Sequence, residues 1–242
     1  MFILTIDQRG STGDIDRVPS LLQDVAPLTT SGTFERSVGD EIQGAVQDPG
    51  EVVAIALHAL RQGHWYVGIG VGPVDTPLPQ SPREGSGPAF VAARHAVERA
   101  KAAAGHVPLA VLPGMALRSD ADGGRVDSRS VDARRAHAAS ACANAEAVLR
   151  LIGRLIQERS EAQWKVVDTL TTVQQNREAR HGSQKVVARE LGITEQSVSR
   201  AVLRSGWQEE WAARPAAEML LALAHGIITP EGTGGDAWTY SG

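Results

Sequence analysis

The sequence predicts an α+β protein with an N-terminal α/β layered domain and an all-α C-terminal domain. In residues 1–118, short apolar runs rich in β-branched residues (FILTI, HWYVGIGVG, HVPLAVLP) alternate with helical patterns, as in layered α/β domains. Residues 130–158 and 160–181 then repeat apolar residues with the period of a helix. Residues 184–203 have the pattern of a helix-turn-helix, which completes the all-α part.

The composition is that of a globular protein. Of 242 residues, 42% are hydrophobic and 21% are charged, which excludes a disordered chain. The single cysteine, Cys142, excludes an intramolecular disulfide and a cysteine-cluster zinc site. The N-terminal apolar run has no basic segment before it and ends at Asp7, and no run approaches the ~18 apolar residues of a membrane span. We therefore expect a cytoplasmic protein without membrane contact.

The N-terminal part predicts four strands and three helices in alternation. A strand ends at Asp7, helices cover 18–28, 51–61 and 90–104, and further strands cover 33–38, 64–72 and 106–113. A turn is expected at Gly39-Asp40. The glycines of GIGVG at 68–72 lie inside a strand, so they predict a close backbone approach rather than a dinucleotide-binding loop.

A polar stretch divides the two parts of the chain. Residues 119–129 are rich in Gly and Asp, so we expect a linker and connector helix over 119–159. Val148 to Ile156 give this helix a broad apolar stripe. Ser160 and Gln163 have the spacing of a capping box and predict the start of the next helix. The helix-turn-helix domain is expected over 160–225 and a flexible tail over 226–242.

The helix-turn-helix pattern is QKVVARELGITEQSVSRAVL. Gly192 stands where the turn needs a positive φ, and Thr194 can cap the second helix with its hydroxyl. We expect Ile193 to be buried in the turn, and the second helix to bury Val198 and Val202.

This pattern lies in the most basic window of an acidic chain. The net charge is −4, but residues 177–204 hold six basic and three acidic groups. In such motifs the second helix enters the major groove. We expect Arg200 to contact guanine, Gln196 to contact adenine, and Lys185, Arg189 and Arg204 to contact phosphates. The full predicted DNA-contacting set is Lys185, Arg189, Thr194, Gln196, Ser197, Ser199, Arg200 and Arg204. The alternative is a helical pair used for protein contact.

Four N-terminal segments resemble a known family. ILTIDQRGST, RSVGDEIQGAV, WYVGIGVGPV and GSGPAFVAARHAVERA, followed by the helix-turn-helix, resemble the SatD-like bacterial family over residues 1–205. The N-terminal segments are more distantly similar to class III nucleotide cyclases and palm-type domains. That similarity implies a ferredoxin-like α/β sandwich for residues 1–118.

The cyclase-like similarity also implies a nucleotide site. Asp7 and Asp40 match the two carboxylates that hold a divalent cation such as Mg²⁺. The implied nucleotide-binding residues are Gly10, Ser11, Thr12, Arg36 and Arg94, and Arg94 is also the candidate catalytic residue. Phe90 stands where cyclases have a catalytic asparagine, which argues against an enzyme. Glu41 is expected to face away from Asp40, and the alternative for all three acids is a structural role in turns and caps.

Two functional hypotheses follow. The first is a DNA-binding transcriptional regulator that acts on double-stranded DNA. It binds as a homodimer, because one helix-turn-helix makes few base contacts, and its N-terminal domain senses a ligand such as a nucleotide with Mg²⁺. The second is a nucleotide-processing enzyme that uses Asp7 and Asp40 with a divalent metal.

Overall fold

The computed structural model of the chain describes residues 1–10, 13, 15–77, 79, 81–103, 107–115, 128–175 and 182–229. These residues form a mixed α+β fold. The strands are β1 (Phe2–Gln8), β2 (Thr33–Arg36), β3 (Glu41–Val46), β4 (Trp65–Val71) and β5 (Leu109–Pro113). The α-helices are α1 (Val18–Val25), α2 (Pro49–Gln62), α3 (Pro88–Ala102), α4 (Ser128–Gln157), α5 (Glu161–Gln175), α6 (Ser183–Leu191), α7 (Glu195–Arg204) and α8 (Trp207–Ile228). Across these ranges, no helix is both long and apolar enough to cross a membrane.

The five strands form one mixed sheet in the order β2-β3-β1-β4-β5. The neighbours from β2 to β4 are antiparallel, and β4 and β5 are parallel. The register of β1 aligns Asp7 with Glu41 of β3 and with Tyr66 of β4. Paired residues point to the same face of a sheet, so these three side chains share one face.

The two faces of the sheet are covered by different helices. Leu4 and Ile6 of β1 belong to the main core, which also includes the buried faces of α1 and α2. The intervening Ile3 lies on the opposite face and packs with Ala89 and Phe90 of α3. The period-2 alternation of strand side chains therefore separates the α1/α2 layer from the α3 layer.

Two glycines of β4 allow α3 to lie close to the sheet. A Cβ atom at Gly68 would lie 2.3 Å from the Val97 backbone nitrogen, and one at Gly70 would lie 2.1 Å from the Ala89 carbonyl oxygen. Both distances are well below van der Waals contact. The prediction that GIGVG serves a close backbone approach is confirmed.

Helices α4 and α8 complete the main core instead of standing apart from it. Buried residues of α4, including Cys142 and Leu149, share this core with Leu221 and Ile228 of α8. The helix predicted over 130–158 is confirmed as α4, and Cys142 is buried as expected. However, α8 continues to Ile228, so the predicted tail begins three residues inside a helix. The predicted linker at 119–127 and the remaining tail at 230–242 lie outside the described residues.

Helices α5, α6 and α7 form a separate small core. Its buried members are Val166, Leu170, Val187, Ala188, Val198 and Val202. Helix α5 starts at a capping box, as predicted. The Ser160 N–H donates to Gln163 Oε1 at 2.8 Å, and the Gln163 N–H donates to Ser160 Oγ at 3.3 Å.

Candidate functional site

The turn between α6 and α7 has the geometry that its sequence predicts. Gly192 ends α6 with φ +64°, in the left-handed region that favours glycine. Thr194 caps α7, because its Oγ1 accepts a hydrogen bond from the Ser197 backbone nitrogen at 3.1 Å. Ile193 was expected in the core, and this is wrong, since 40% of it is exposed. Val187, Ala188 and Val198 fill the space between the helices without it.

Helix α7 presents its outer face to solvent. Val198 and Val202 pack in a core with residues of α5 and α6. The residues on the opposite side of α7 are exposed. All eight residues of the predicted DNA-contacting set are exposed. Two acidic residues, Glu190 and Glu195, are exposed in the same segment, so the four basic members leave a local excess of positive charge. Arg177 and Arg180 of the basic window lie outside the described residues.

Helices α5 to α7 are attached to the main core through a buried ion pair. Arg159, between α4 and α5, and Glu210 of α8 have side chains that are 1% and 3% exposed, and Arg159 Nη2 lies 2.6 Å from Glu210 Oε2. Arg159 Nε also donates to the Ser205 carbonyl oxygen, at 2.8 Å, directly after α7. The end of α7 is therefore fixed to the junction of α4 and α5.

A second contact joins α5 to α2. Arg61 of α2 donates two hydrogen bonds to the Asp168 carboxylate of α5, at 2.8 and 2.7 Å. The guanidinium carbon of Arg61 lies 3.8 Å from the ring centre of Trp164, and the guanidinium carbon of Arg159 lies 4.7 Å from the same ring centre. Trp164 thus contacts arginines from two parts of the chain. No sequence pattern indicates the junction, because Arg61 and Asp168 are 107 residues apart.

The acidic residues of the N-terminal part meet at one end of the sheet. Asp7 lies near the end of β1, and Asp40 lies in the turn before β3, where its carbonyl oxygen accepts a hydrogen bond from the Gln8 nitrogen at 3.2 Å. Glu41 was expected to face away from Asp40, and this stays a prediction. Strand β3 begins at Glu41, and the register places Glu41 directly opposite Asp7 on the α3 face.

Helix α3 contributes basic residues to the same end. Lys101 Nζ lies 3.0 Å from Asp7 Oδ2 and 2.9 Å from Glu98 Oε1. Arg94 is exposed on α3, close enough for its charge to act on Glu41. Sequence reasoning missed Lys101. The spacing of Arg94, Glu98 and Lys101 on one face of an alanine-rich helix is the signal that could have found it.

The pKa shifts at this site reflect burial and crowded negative charge. Burial raises the pKa of the Asp7 carboxyl, and Lys101 opposes that rise. Burial also raises the pKa of Glu41, and the negative charge of Asp7 adds to it. The ionised carboxylates of Asp7 and Glu41 repel each other. The Lys101 ammonium, which contacts Asp7 and Glu98, supplies a compensating positive charge.

The other residues of the predicted nucleotide site are not brought together with Asp7 and Glu41 by any contact of the described residues. Arg36 binds the Asp16 carboxylate and donates to the Gly39 carbonyl oxygen at 3.0 Å. Gly10 is exposed with φ +66°, and Ser11 and Thr12 lie outside the described residues. Among the described residues, no group of three or more His, Cys, Asp or Glu side chains is arranged to hold a metal ion.

Comparisons with protein-family models, curated proteins and solved structures find no match to this chain. The SatD-like and cyclase-like resemblance therefore remains a prediction from sequence motifs.

Proposed function

We propose that the protein is a DNA-binding transcriptional regulator whose N-terminal domain senses a ligand. The observation that carries this proposal is the exposed face of α7, which presents Gln196, Ser199, Arg200 and Arg204 to solvent at the end of a correctly capped turn. A recognition helix has this arrangement, with its buried side on two supporting helices and its polar side free for the major groove.

The proposal assigns two kinds of contact to this surface. Arg200 and Gln196 lie on α7 and carry the planar groups that read guanine and adenine edges. Lys185 and Arg189 lie on α6, and Arg204 lies at the end of α7, which suits contacts to phosphates on either side of the groove. A single unit of this kind makes few base contacts, so we propose that it binds as a homodimer.

The junction between the two parts gives the N-terminal domain a route to the DNA-binding helices. The Arg159–Glu210 pair and the Arg61–Asp168 pair tie α5 and the end of α7 to α2, α4 and α8. A ligand that shifts α2 would act on α5 through these contacts. The structural element that joins the N-terminal domain to α5 is thus the α2–α5 junction.

The ferredoxin-like interpretation of residues 1–118 is part of the proposal. Helix α1 connects β1 to β2 and α2 connects β3 to β4, and the order β2-β3-β1-β4 is the order of a ferredoxin-like sheet. Strand β5 and helix α3 extend this unit on one edge and on the opposite face.

The alternative function, a nucleotide-processing enzyme, is supported by the cluster of Asp7, Asp40, Glu41 and Arg94 at one end of the sheet. Two features argue against it. Lys101 binds the Asp7 carboxylate that would hold the cation. Phe90 is 1% exposed and packs in the α3 layer, so it contributes no polar group to the site. Chromatography of each nucleoside triphosphate after incubation with the protein and Mg²⁺ or Mn²⁺ tests this alternative. A new product would favour the enzyme, and its absence would leave ligand sensing.

The DNA-binding proposal is tested by selection from a randomised duplex library, followed by fluorescence anisotropy on the selected duplex. We expect Arg200→Gln to weaken binding to the selected duplex by about 1–3 kcal/mol and to relax its base preference at one position. The matched control is Arg83→Gln, because Arg83 is an exposed arginine of the N-terminal part. Equal affinity of wild type and Arg200→Gln, or no enriched sequence, would reject the proposal.

A further inference from the structure

The exposed side of α8 is apolar along most of the helix. Between positions 211 and 226, the exposed residues are Trp211, Ala212, Pro215, Met219, Ala222, Leu223 and Gly226. None of them is charged, and the Trp211 indole is the one side chain among them that can form a hydrogen bond. Met219 is 66% exposed and Leu223 is 53% exposed. At 1.5 Å per residue, this face is about 24 Å long. We call it the α8 face.

Helix α4 extends the α8 face sideways. Leu155 of α4 lies against the start of α8, since a Cβ at Gly206 would be 3.0 Å from Leu155 Cδ2. Leu151, one turn earlier, is 69% exposed. The exposed residues that precede it on this side are small or polar, and none is Asp, Glu, Lys or Arg: they are Ala133, Ala136, His137, Ser140, Ala143, Asn144 and Ala147. Two helices side by side make a surface about 20 Å wide.

We infer that the α8 face, with Leu151 and the adjacent small residues of α4, is the surface on which a second copy of this chain packs. Its area in projection is about 480 Å² per copy, so a pair would bury about 1,000 Å², which reaches the lower limit for a specific interface. A patch of this size is at the upper end of what a monomer exposes.

Two features select a second copy as the occupant. In a two-fold dimer each patch meets itself, so it must be self-complementary, and the α8 face meets this condition because its exposed residues carry no charged side chain. Helix α8 also follows α7 after only Ser205 and Gly206, and Ser205 is buried and bonded to Arg159. Pairing through α8 would therefore hold the α7 helices of the two copies at a fixed spacing. The use of that spacing rests on the proposed DNA-binding function.

The segment after α8 is a less suitable occupant. Residues 230–242 (PEGTGGDAWTYSG) contain only two bulky apolar side chains, Trp238 and Tyr240, and four glycines. These cannot cover a face that exposes a tryptophan, a methionine and two leucines over two helices.

Sedimentation equilibrium of the full chain over a range of concentrations tests the inference. Wild type is expected to form a dimer. Met219→Glu combined with Leu223→Glu places charges on both copies at once, so we expect the dimer dissociation constant to rise at least ~100-fold. The control is Val91→Glu, which places the same charge at a residue of α3 that is 51% exposed. It should dimerise like wild type.

The outcomes separate the inference from the proposed function. Far-UV circular dichroism verifies that the double variant is folded, and Leu223→Gln serves as a milder second variant if it is not. A monomeric wild type, or a double variant that dimerises like wild type, overturns the inference even if DNA binding depends on Arg200. If wild type dimerises through this face but Arg200→Gln binds DNA as wild type does, the inference stands and the proposed function fails.

Discussion

Replacing Glu210 with glutamine tests the buried junction between helices α5 to α7 and the main core. The Arg159 and Glu210 side chains are almost fully buried, with 2.6 Å between Nη2 and Oε2. The substitution keeps the shape of the side chain but removes its charge. Arg159 would then carry a buried positive charge without an opposite charge in contact, and this is costly where water cannot solvate it.

The expected loss of unfolding free energy is about 3 kcal/mol. Removing one partner of a buried ion pair costs about 3–5 kcal/mol, and glutamine can still accept one hydrogen bond, which places the estimate at the lower end. Glu210 also binds Arg214, which is 25% exposed, so the loss of that contact adds little. Equilibrium urea unfolding followed by circular dichroism measures the change.

A neighbouring pair of the same residue types provides the control. Arg154 and Glu158 are 61% and 58% exposed, so Glu158→Gln should cost no more than about 0.5 kcal/mol. The double variant Arg159→Met with Glu210→Leu should lose less than Glu210→Gln alone, because it leaves no unpaired charge. If Glu210→Gln costs as little as Glu158→Gln, the junction is not held by a buried ion pair.

Three further predictions concern the N-terminal part and the core. Gly68→Ala should cost up to about 3 kcal/mol in urea unfolding, because its Cβ would lie 2.3 Å from the Val97 nitrogen, and a wild-type stability would contradict the packing of α3. Burial raises the pKa of the Cys142 thiol to about 12, so Ellman's reagent should react with it only on unfolding, and rapid reaction of the native protein would contradict its burial. Burial of Glu51 is outweighed by hydrogen bonds from Ser31 and the preceding threonines, which lower its pKa from 4.5 to about 2. The stabilisation from Glu51 is therefore complete above pH 4.5 and is lost as the pH falls towards 2, and Glu51→Gln should flatten the stability profile in that window.

The features that depend on neighbouring residues could be predicted from the sequence. The capping box of Ser160 and Gln163, the left-handed Gly192 and the cap by Thr194 each involve residues at most three or four positions apart. Turn and cap chemistry is set by such local geometry, and the helices therefore begin and end close to their predicted bounds.

The features that depend on tertiary packing could not be predicted. The position of Glu41 opposite Asp7 is one example, because the residue where β3 begins and the register of β3 with β1 are set by sheet pairing. The contact between Lys101 and Asp7 requires α3 to lie across β4 towards β1. Gly68 and Gly70 make room for α3 on the sheet, but they do not determine the direction in which it lies. An apolar helix pattern likewise does not show which partner it packs on, so α8 was grouped with the helix-turn-helix rather than with α4.

The salt dependence of DNA binding tests whether α6 and α7 contact the phosphates of a DNA duplex. If Lys185, Arg189 and Arg204 of each copy contact phosphates, a dimer neutralises about six, and the logarithm of the binding constant should fall with the logarithm of salt concentration with a slope near −5. Substituting all three by glutamine should bring the slope close to zero without changing the fold. A slope near zero in the wild type, or an unchanged slope in the triple variant, would contradict the assignment of this surface to DNA.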